Sequence, residues 1–411
     1  MAVLEETRRG ERDVAVISLV GVAHYTSHVL QLALPPLFPI LHVAFGVSFT
    51  ELGAFVTLFY AASGLGQAAA GVLVDRYGAP RLLAAGLVVL SGSILLAGFA
   101  PSYGFLLPLA PVAGLGNSVF HPADLSILSH RISEGRLGRA YAVHGVSGSL
   151  GYATSPVAVT LIAGIANWHV ALVALGLGGL AVGALLLVNH RALDYDHHAT
   201  TAASADGARR ASYLSVIGAP VVLMAFGYFA MTSFAGSGMQ TFSITALTTG
   251  YGLGLDAATR VLTLYLLGAA LGMVGGGFLA DRVRQHHRVA MSGIAVAALL
   301  MLTIAAVPRL GDFILPVAAL AGIANGITGP SRDVLVRRAA AGIGTGSVFG
   351  FVYSGFDLGS STAPLLFGML LDQKAPQAVF LAIACAFALG VPTVMRVSQR
   401  IVARPQPAEA D

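Results

Sequence analysis

The chain has 411 residues, 56% of them hydrophobic and only 10% charged, whereas a soluble globular domain carries about 25% charged residues. So little charge cannot cover the surface of a soluble fold of this size, which makes lipid the solvent for most of the chain. The formal net charge of +4 comes with no basic–aromatic stripe and no nucleic-acid-binding module, which argues against a nucleic-acid partner, and the single Cys385 cannot close an internal disulfide.

A membrane-crossing helix needs about 20 mostly apolar residues. Taken in chain order, charge clusters and Gly/Pro breaks divide the sequence into twelve such spans: 14–41, 48–75, 80–100, 104–131, 138–164, 168–189, 214–240, 257–281, 288–307, 312–338, 345–371 and 375–397. The first follows Arg8, Arg9 and Arg12, as a signal peptide would. It is too long for one, contains His24, His28 and Gln31, and has no small-residue cleavage site, so it reads as a membrane helix that is retained. The expected fold class is an all-α membrane protein with twelve transmembrane helices in two six-helix bundles. The bundles cover residues 1–189 and 214–411, and a polar linker, 190–213, joins them. The His197-His198 pair in that linker reads as part of a solvated loop rather than as a metal site. The abundance of glycine, 50 residues, suits close helix packing in lipid.

The basic residues sort by side. Twenty of the 23 Lys and Arg residues fall on one face: the N-terminus, the 2–3, 4–5 and 8–9 turns, the linker, the segment around Arg332, Arg337 and Arg338, and the tail. Only Arg260, Arg309 and Lys374 are left for the other. The positive-inside rule then puts both termini in the cytoplasm, with the chain integral to the plasma membrane. An even number of spans requires the same.

Polar residues inside the spans are functional candidates by default. His24, His28 and Gln31 share one helix face at i, i+4 and i+7, and Asn117, His121 and Asp124 repeat that spacing in the fourth span. His144 lies in the fifth span; Tyr228, Ser233, Ser237 and Gln240 lie in the seventh; Asn325 and Arg332 lie in the tenth. Asp357 stands near the middle of the eleventh, where a carboxylate costs several kcal/mol unless it is paired or protonated. No phosphate-binding loop and no metal-ligand spacing above chance is present, so no enzyme activity, cofactor or metal is expected.

The two halves match each other. "AGLGNSVFHP" at 113–122 aligns with "AGIANGITGP" at 321–330, and Pro156 and Pro364 are also 208 residues apart. "GVLVDRYGAPR" at 71–81 has a counterpart in "GFLADRVRQHHR" at 277–288. Such repeats enclose a midplane site between two bundles that rock against each other. In this register Asp124 and Arg332 are equivalent positions of opposite charge, which predicts a pair between the halves when the cytoplasmic side closes, with Asp333 as the competing partner of Arg332.

The G-x-L-x-D-R-x-G-x-x-R loop, its repeat and the span count resemble the major facilitator superfamily along the whole chain. Within it, "GLGNSVFHP" is similar to the fosmidomycin-resistance type of efflux carrier. The resemblance implies that spans 1, 4, 7 and 10 surround the transport cavity. It also implies a conformational gate made of Gly71, Asp75, Arg76 and Arg81 and of Gly277, Asp281 and Arg282. In that gate Asp75 meets the helix N-terminus near 344–347 and Asp281 the one near Gly138, where a carboxylate is favoured by the dipole and by unpaired N–H groups. "GYATSPVA" at 151–158 resembles the antiporter motif of drug–proton exchangers, with Ser155 in place of the second glycine, and its glycine face is expected to pack between halves. Pro111 occupies the place of the fourth-span arginine used in proton coupling, so coupling falls to Asp124, Asp357 and the histidines.

The function expected is a proton-coupled exporter of a small organic compound or drug, working as a monomer by alternating access. Two alternatives stay open: a proton-linked uptake symporter for an organic anion, and a non-transporting membrane sensor or scaffold. The partners expected are a small molecule, protons and the lipid bilayer.

Overall fold

The computed structural model describes residues 2–195, 219–307, 311–340 and 345–402. Among these residues every regular element is a helix. Most of linker 190–213, including His197 and His198, lies outside them, as does 341–344. In the first half the helices are α1 (Ala2–Gln31), α2 (Phe38–Phe45), α3 (Phe49–Tyr77), α4 (Ala79–Ala97), α5 (Tyr103–Leu106), α6 (Leu109–Asn117), α7 (Phe120–Arg131), α8 (Glu134–Ile165), α9 (Trp168–Val188) and α10 (His190–Leu193). The second half has α11 (Pro220–Gly250), α12 (Leu255–Arg282), α13 (His286–Ala306), α14 (Ile314–Gly326), α15 (Thr328–Ala340), α16 (Thr345–Asp372) and α17 (Pro376–Val402).

Ten stretches among the described residues, from Glu11–Phe45 to Pro376–Arg396, are long and apolar enough to cross a membrane. Their outward faces are apolar: Val188, Ile165 and Val43 are 81%, 79% and 78% exposed. Aliphatic side chains that open are stable only against hydrocarbon.

Helix ends follow local chemistry. Ser48 and Glu51 form a reciprocal capping box at the start of α3, satisfying two N–H groups that the first turn leaves free. Between α3 and α4, Gly78 takes φ +86°, a conformation that only glycine holds without strain, and Pro80 starts the next helix with no N–H to lose. This explains the glycine of the D-R-x-G loop.

Three expected spans are broken. Span 14–41 is divided at the 3₁₀ turn Pro35–Leu37, because two consecutive prolines lack N–H donors for the helix ladder. Spans 104–131 and 312–338 break between α6 and α7 and between α14 and α15. In each, a proline (Pro122, Pro330) leaves the carbonyl four residues earlier, that of Ser118 or Gly326, without its ladder donor. The two breaks are symmetric because the prolines are 208 residues apart.

The chain forms two compact units, residues 1–207 with 254–263, and residues 208–253 with 264–411. In the second unit α12 and α14 are in near backbone contact. A Cβ at Gly272 or Gly276 would meet the carbonyl oxygen of Ile323 or of Ile327, and one at Gly322 that of Tyr265. Small residues at four-residue spacing allow this approach.

Candidate functional site

The first unit has a polar centre built on three helices. α1 supplies His24 and His28, α7 supplies His121 and Asp124, and α8 supplies His144. Asp124 is fully buried. Its Oδ2 lies 3.0 Å from His144 Nε2 and 3.1 Å from His24 Nδ1, while its Oδ1 has no hydrogen-bond partner among the described residues. The rings of His24 and His144 stack at 3.6 Å, and His24 Nε2 lies 3.2 Å from His28 Nε2. His121 is the exposed member of the group.

The α6–α7 break shapes this centre, since it re-aims the chain between Asn117 and His121. Asn117, at the end of α6, accepts a hydrogen bond from Gln31 Nε2 at 2.6 Å and donates to Ser63 Oγ at 2.9 Å. Tyr152 donates to Gln31 Oε1 at 2.6 Å and sits edge-on to His28 at 4.2 Å. A continuous polar path thus runs Ser63–Asn117–Gln31–Tyr152–His28 and joins α1, α3, α6 and α8. Tyr152 and Ser63 were not among the residues expected from sequence. The signal for Tyr152 was its place beside Gly151; Ser63 gave none.

Glycines of α8 make room for this centre. A Cβ at Gly148 would lie 2.8 Å from His24 Nε2, and one at Gly151 would strike the Tyr25 carbonyl. The expectation that this glycine face packs between the halves is therefore corrected: Gly148 and Gly151 face α1 of their own unit. Likewise Gly355 and Gly359 of α16 face the α11 backbone at Phe226 and Ala230. Residue spacing identifies a close-packing face but not the helix that meets it.

In the second unit, Arg332 of α15 borders a small apolar cavity with Ala225, Tyr228, Phe229, Leu335, Val336 and Val394. Its Nε donates to Asp333 Oδ1 at 2.9 Å, and its guanidinium lies 4.5 Å and 5.1 Å from the ring centres of Phe229 and Phe356. Asp333 is thus the partner that Arg332 has within its own unit. Asn325 of α14 donates to Tyr265 OH at 3.3 Å. Ser233 of α11 donates to the Phe356 carbonyl at 2.8 Å. Gln240 is half-buried further along α11. Asp357 of α16, half-buried, has no hydrogen-bond or ion-pair partner among the described residues.

Of the gate residues, Gly71 and Arg76 lie in the last turns of α3 and are exposed, and Arg81 opens α4. Gly277, Asp281 and Arg282 end α12, and Asp281 and Arg282 are exposed. The side chain of Asp75 and residues 341–344, on which half of the gate rests, lie outside the described residues.

Residues 17–259 and 228–410 match the model of the Major Facilitator Superfamily. The chain belongs to the major facilitator superfamily. This transporter is 27% identical over 403 residues to the fosmidomycin resistance protein of Escherichia coli (strain K12), covering 96% of this chain and 95% of that one. It is 26% identical over 389 residues to the MFS-type transporter YfnC of Bacillus subtilis (strain 168), covering 92% and 91%. In fold it is similar to a bacterial homologue of the human lysosomal transporter Spinster, crystallised inward-facing and unoccupied. That match has TM-score 0.78, 15% identity and coverage of 97% and 99%. The duplicated D-R loops and the two broken, proline-marked helices are thus features of a superfamily transporter.

Proposed function

We propose that this superfamily transporter is a proton-coupled exporter of a small organic compound in a bacterial cytoplasmic membrane, working as a monomer. In this reading α3 and α16 supply the two spans beyond the ten, giving twelve. Residues 1–189 and 214–411 form the two bundles, and both termini are cytoplasmic. The support for export is the likeness, over nearly the full length of both chains, to a protein named for fosmidomycin resistance. The support for proton coupling is Asp357: a carboxylate in an apolar helix, without a partner among the described residues, is far cheaper neutral than charged, so its protonation can be tied to the conformational cycle.

A second reading, proton-linked uptake of an organic anion, is favoured by Arg332. A guanidinium held by aromatic faces in an apolar cavity suits a ligand with one anionic end and an apolar body.

The test is transport in proteoliposomes under an imposed pH gradient, with a compound panel that begins with fosmidomycin. An exporter moves compound against the proton flow and a symporter moves it with the flow. Asp357→Asn should abolish gradient-driven movement while compound exchange at equal pH persists. A variant that still concentrates compound in response to the gradient would refute the role of Asp357.

A further inference from the structure

We propose that His24, His121, His144 and Asp124 form a binding site for a divalent transition-metal ion, zinc by ligand chemistry, inside the first unit. One nitrogen from each histidine lies within 4.8 Å of the others. Asp124 Oδ2 sits between two of them, at 3.1 Å from His24 Nδ1 and 3.0 Å from His144 Nε2. Three imidazoles and one carboxylate are a zinc-type set, whereas calcium and magnesium take oxygen ligands. Tetrahedral zinc at about 2.0–2.1 Å from its ligands holds them about 3.4 Å apart. The three histidine nitrogens therefore need to close by at most about 1.4 Å at any one contact, while Asp124 Oδ2 is already within that spacing of two of them.

Three further observations point to a ligand here. Asp124 Oδ1 is buried with no hydrogen-bond partner among the described residues, and a buried carboxylate oxygen is not left unpaired without reason. His121 is exposed while His24, His144 and Asp124 are buried, so the cluster opens to the surface of the unit at His121. Gly148 keeps space at His24, where a Cβ would come within 2.8 Å of Nε2. An ion at this place would cross-link α1, α7 and α8. It would hold the first unit in one arrangement, and zinc would then inhibit transport. That effect on transport rests on the proposed function; the site itself does not.

The test uses the full chain, purified metal-free in detergent with an affinity tag that contains no histidine, and titrated with cobalt(II) and then zinc(II). The expected result is one cobalt per chain with the intense visible bands of tetrahedral cobalt, displaced by zinc. The thiolate charge-transfer band that binding at Cys385 would add should be missing. His121→Ala, at the exposed member, should weaken binding at least about tenfold, and His42→Ala, outside the cluster, should leave it unchanged. Thermal unfolding gives a second measurement: zinc should raise the Tm of the wild type and not that of His121→Ala. Octahedral cobalt spectra, no stoichiometric binding, or equal binding by His121→Ala would overturn the site. Failure of transport in any compound assay would bear on the proposed function alone.

Discussion

Gly151 of α8 lies so close to the Tyr25 carbonyl of α1 that a Cβ there would collide with it. Next to it, Tyr152 reaches Gln31 and Ser155 Oγ donates to the Val29 carbonyl at 2.7 Å. The "GYATSP" segment is thus the seam that holds α1 and α8 together and brings His144 to His24.

Gly151→Val should therefore overpack this seam, at a cost of about 1–3 kcal/mol. Gly92→Ala is the control. Gly92 lies within α4 with nothing near a built Cβ, and there alanine should be neutral or stabilising by about 0.5–1 kcal/mol. Thermal unfolding in detergent reads both. Equal stability of Gly151→Val and wild type would show that α1 can move away at no cost.

The Gln31–Asn117 hydrogen bond joins α1 to α6, and each partner makes a further bond, to Tyr152 and Ser63. A double-mutant cycle with Gln31→Leu and Asn117→Leu should give a coupling of about 0.6 kcal/mol, the average for hydrogen bonds between membrane helices, and at most about 1.7 kcal/mol. Additive effects in unfolding experiments would mean that water or lipid headgroups replace the bond.

Much of this architecture was legible in the sequence. Ten of the twelve spans could be read because twenty apolar residues have few alternatives to a membrane helix, and the repeat because the prolines and asparagines recur 208 residues apart. His24, His28 and Gln31 were legible as one face because helical periodicity alone sets it. The pairing of Asp124 with His144 was not: the two residues lie 20 apart, on separate helices, and periodicity says nothing across a turn. Nor were the breaks before Pro122 and Pro330, since a proline can either kink a helix or end it. The neighbours of Gly151 were misjudged for the same reason: a small-residue face has no address.

The proposed gate rests on the loop chemistry. Gly78, at φ +86°, fixes the turn that ends α3 just after Asp75. If Asp75 caps a helix N-terminus in the cytoplasm-closed state, the contribution is about 0.3–2 kcal/mol. Asp75→Asn should then shift the transporter toward the inward-open state. Single cysteines introduced along α7 near Arg131, in a Cys385→Ser background, should react faster with a water-soluble maleimide. Unchanged labelling with full transport would remove Asp75 from the gate.

Asp124 and Arg332 occupy equivalent places in the two repeats, 208 residues apart, and their opposite charges suggest a pair between the halves. Their surroundings argue otherwise. Asp124 is buried against His24 and His144, and Arg332 is held by Asp333 and by the faces of Phe229 and Phe356. The charge swap Asp124→Arg with Arg332→Asp would put a guanidinium against two imidazoles. It would also set a carboxylate on the electron-rich faces of two rings, where a cation is preferred. Removing one partner from a buried charged contact costs about 3–5 kcal/mol, and the swap restores neither set of contacts. It should therefore be as inactive as the single variants, while Asp333→Asn alone should impair transport. Arg332→Lys, which keeps the charge but loses the planar stacking and the Nε bond, should also be impaired. Transport in proteoliposomes, normalised to folded protein, measures all of these. Recovery of transport by the swap would establish the pair between the halves and reduce Asp333 to a bystander.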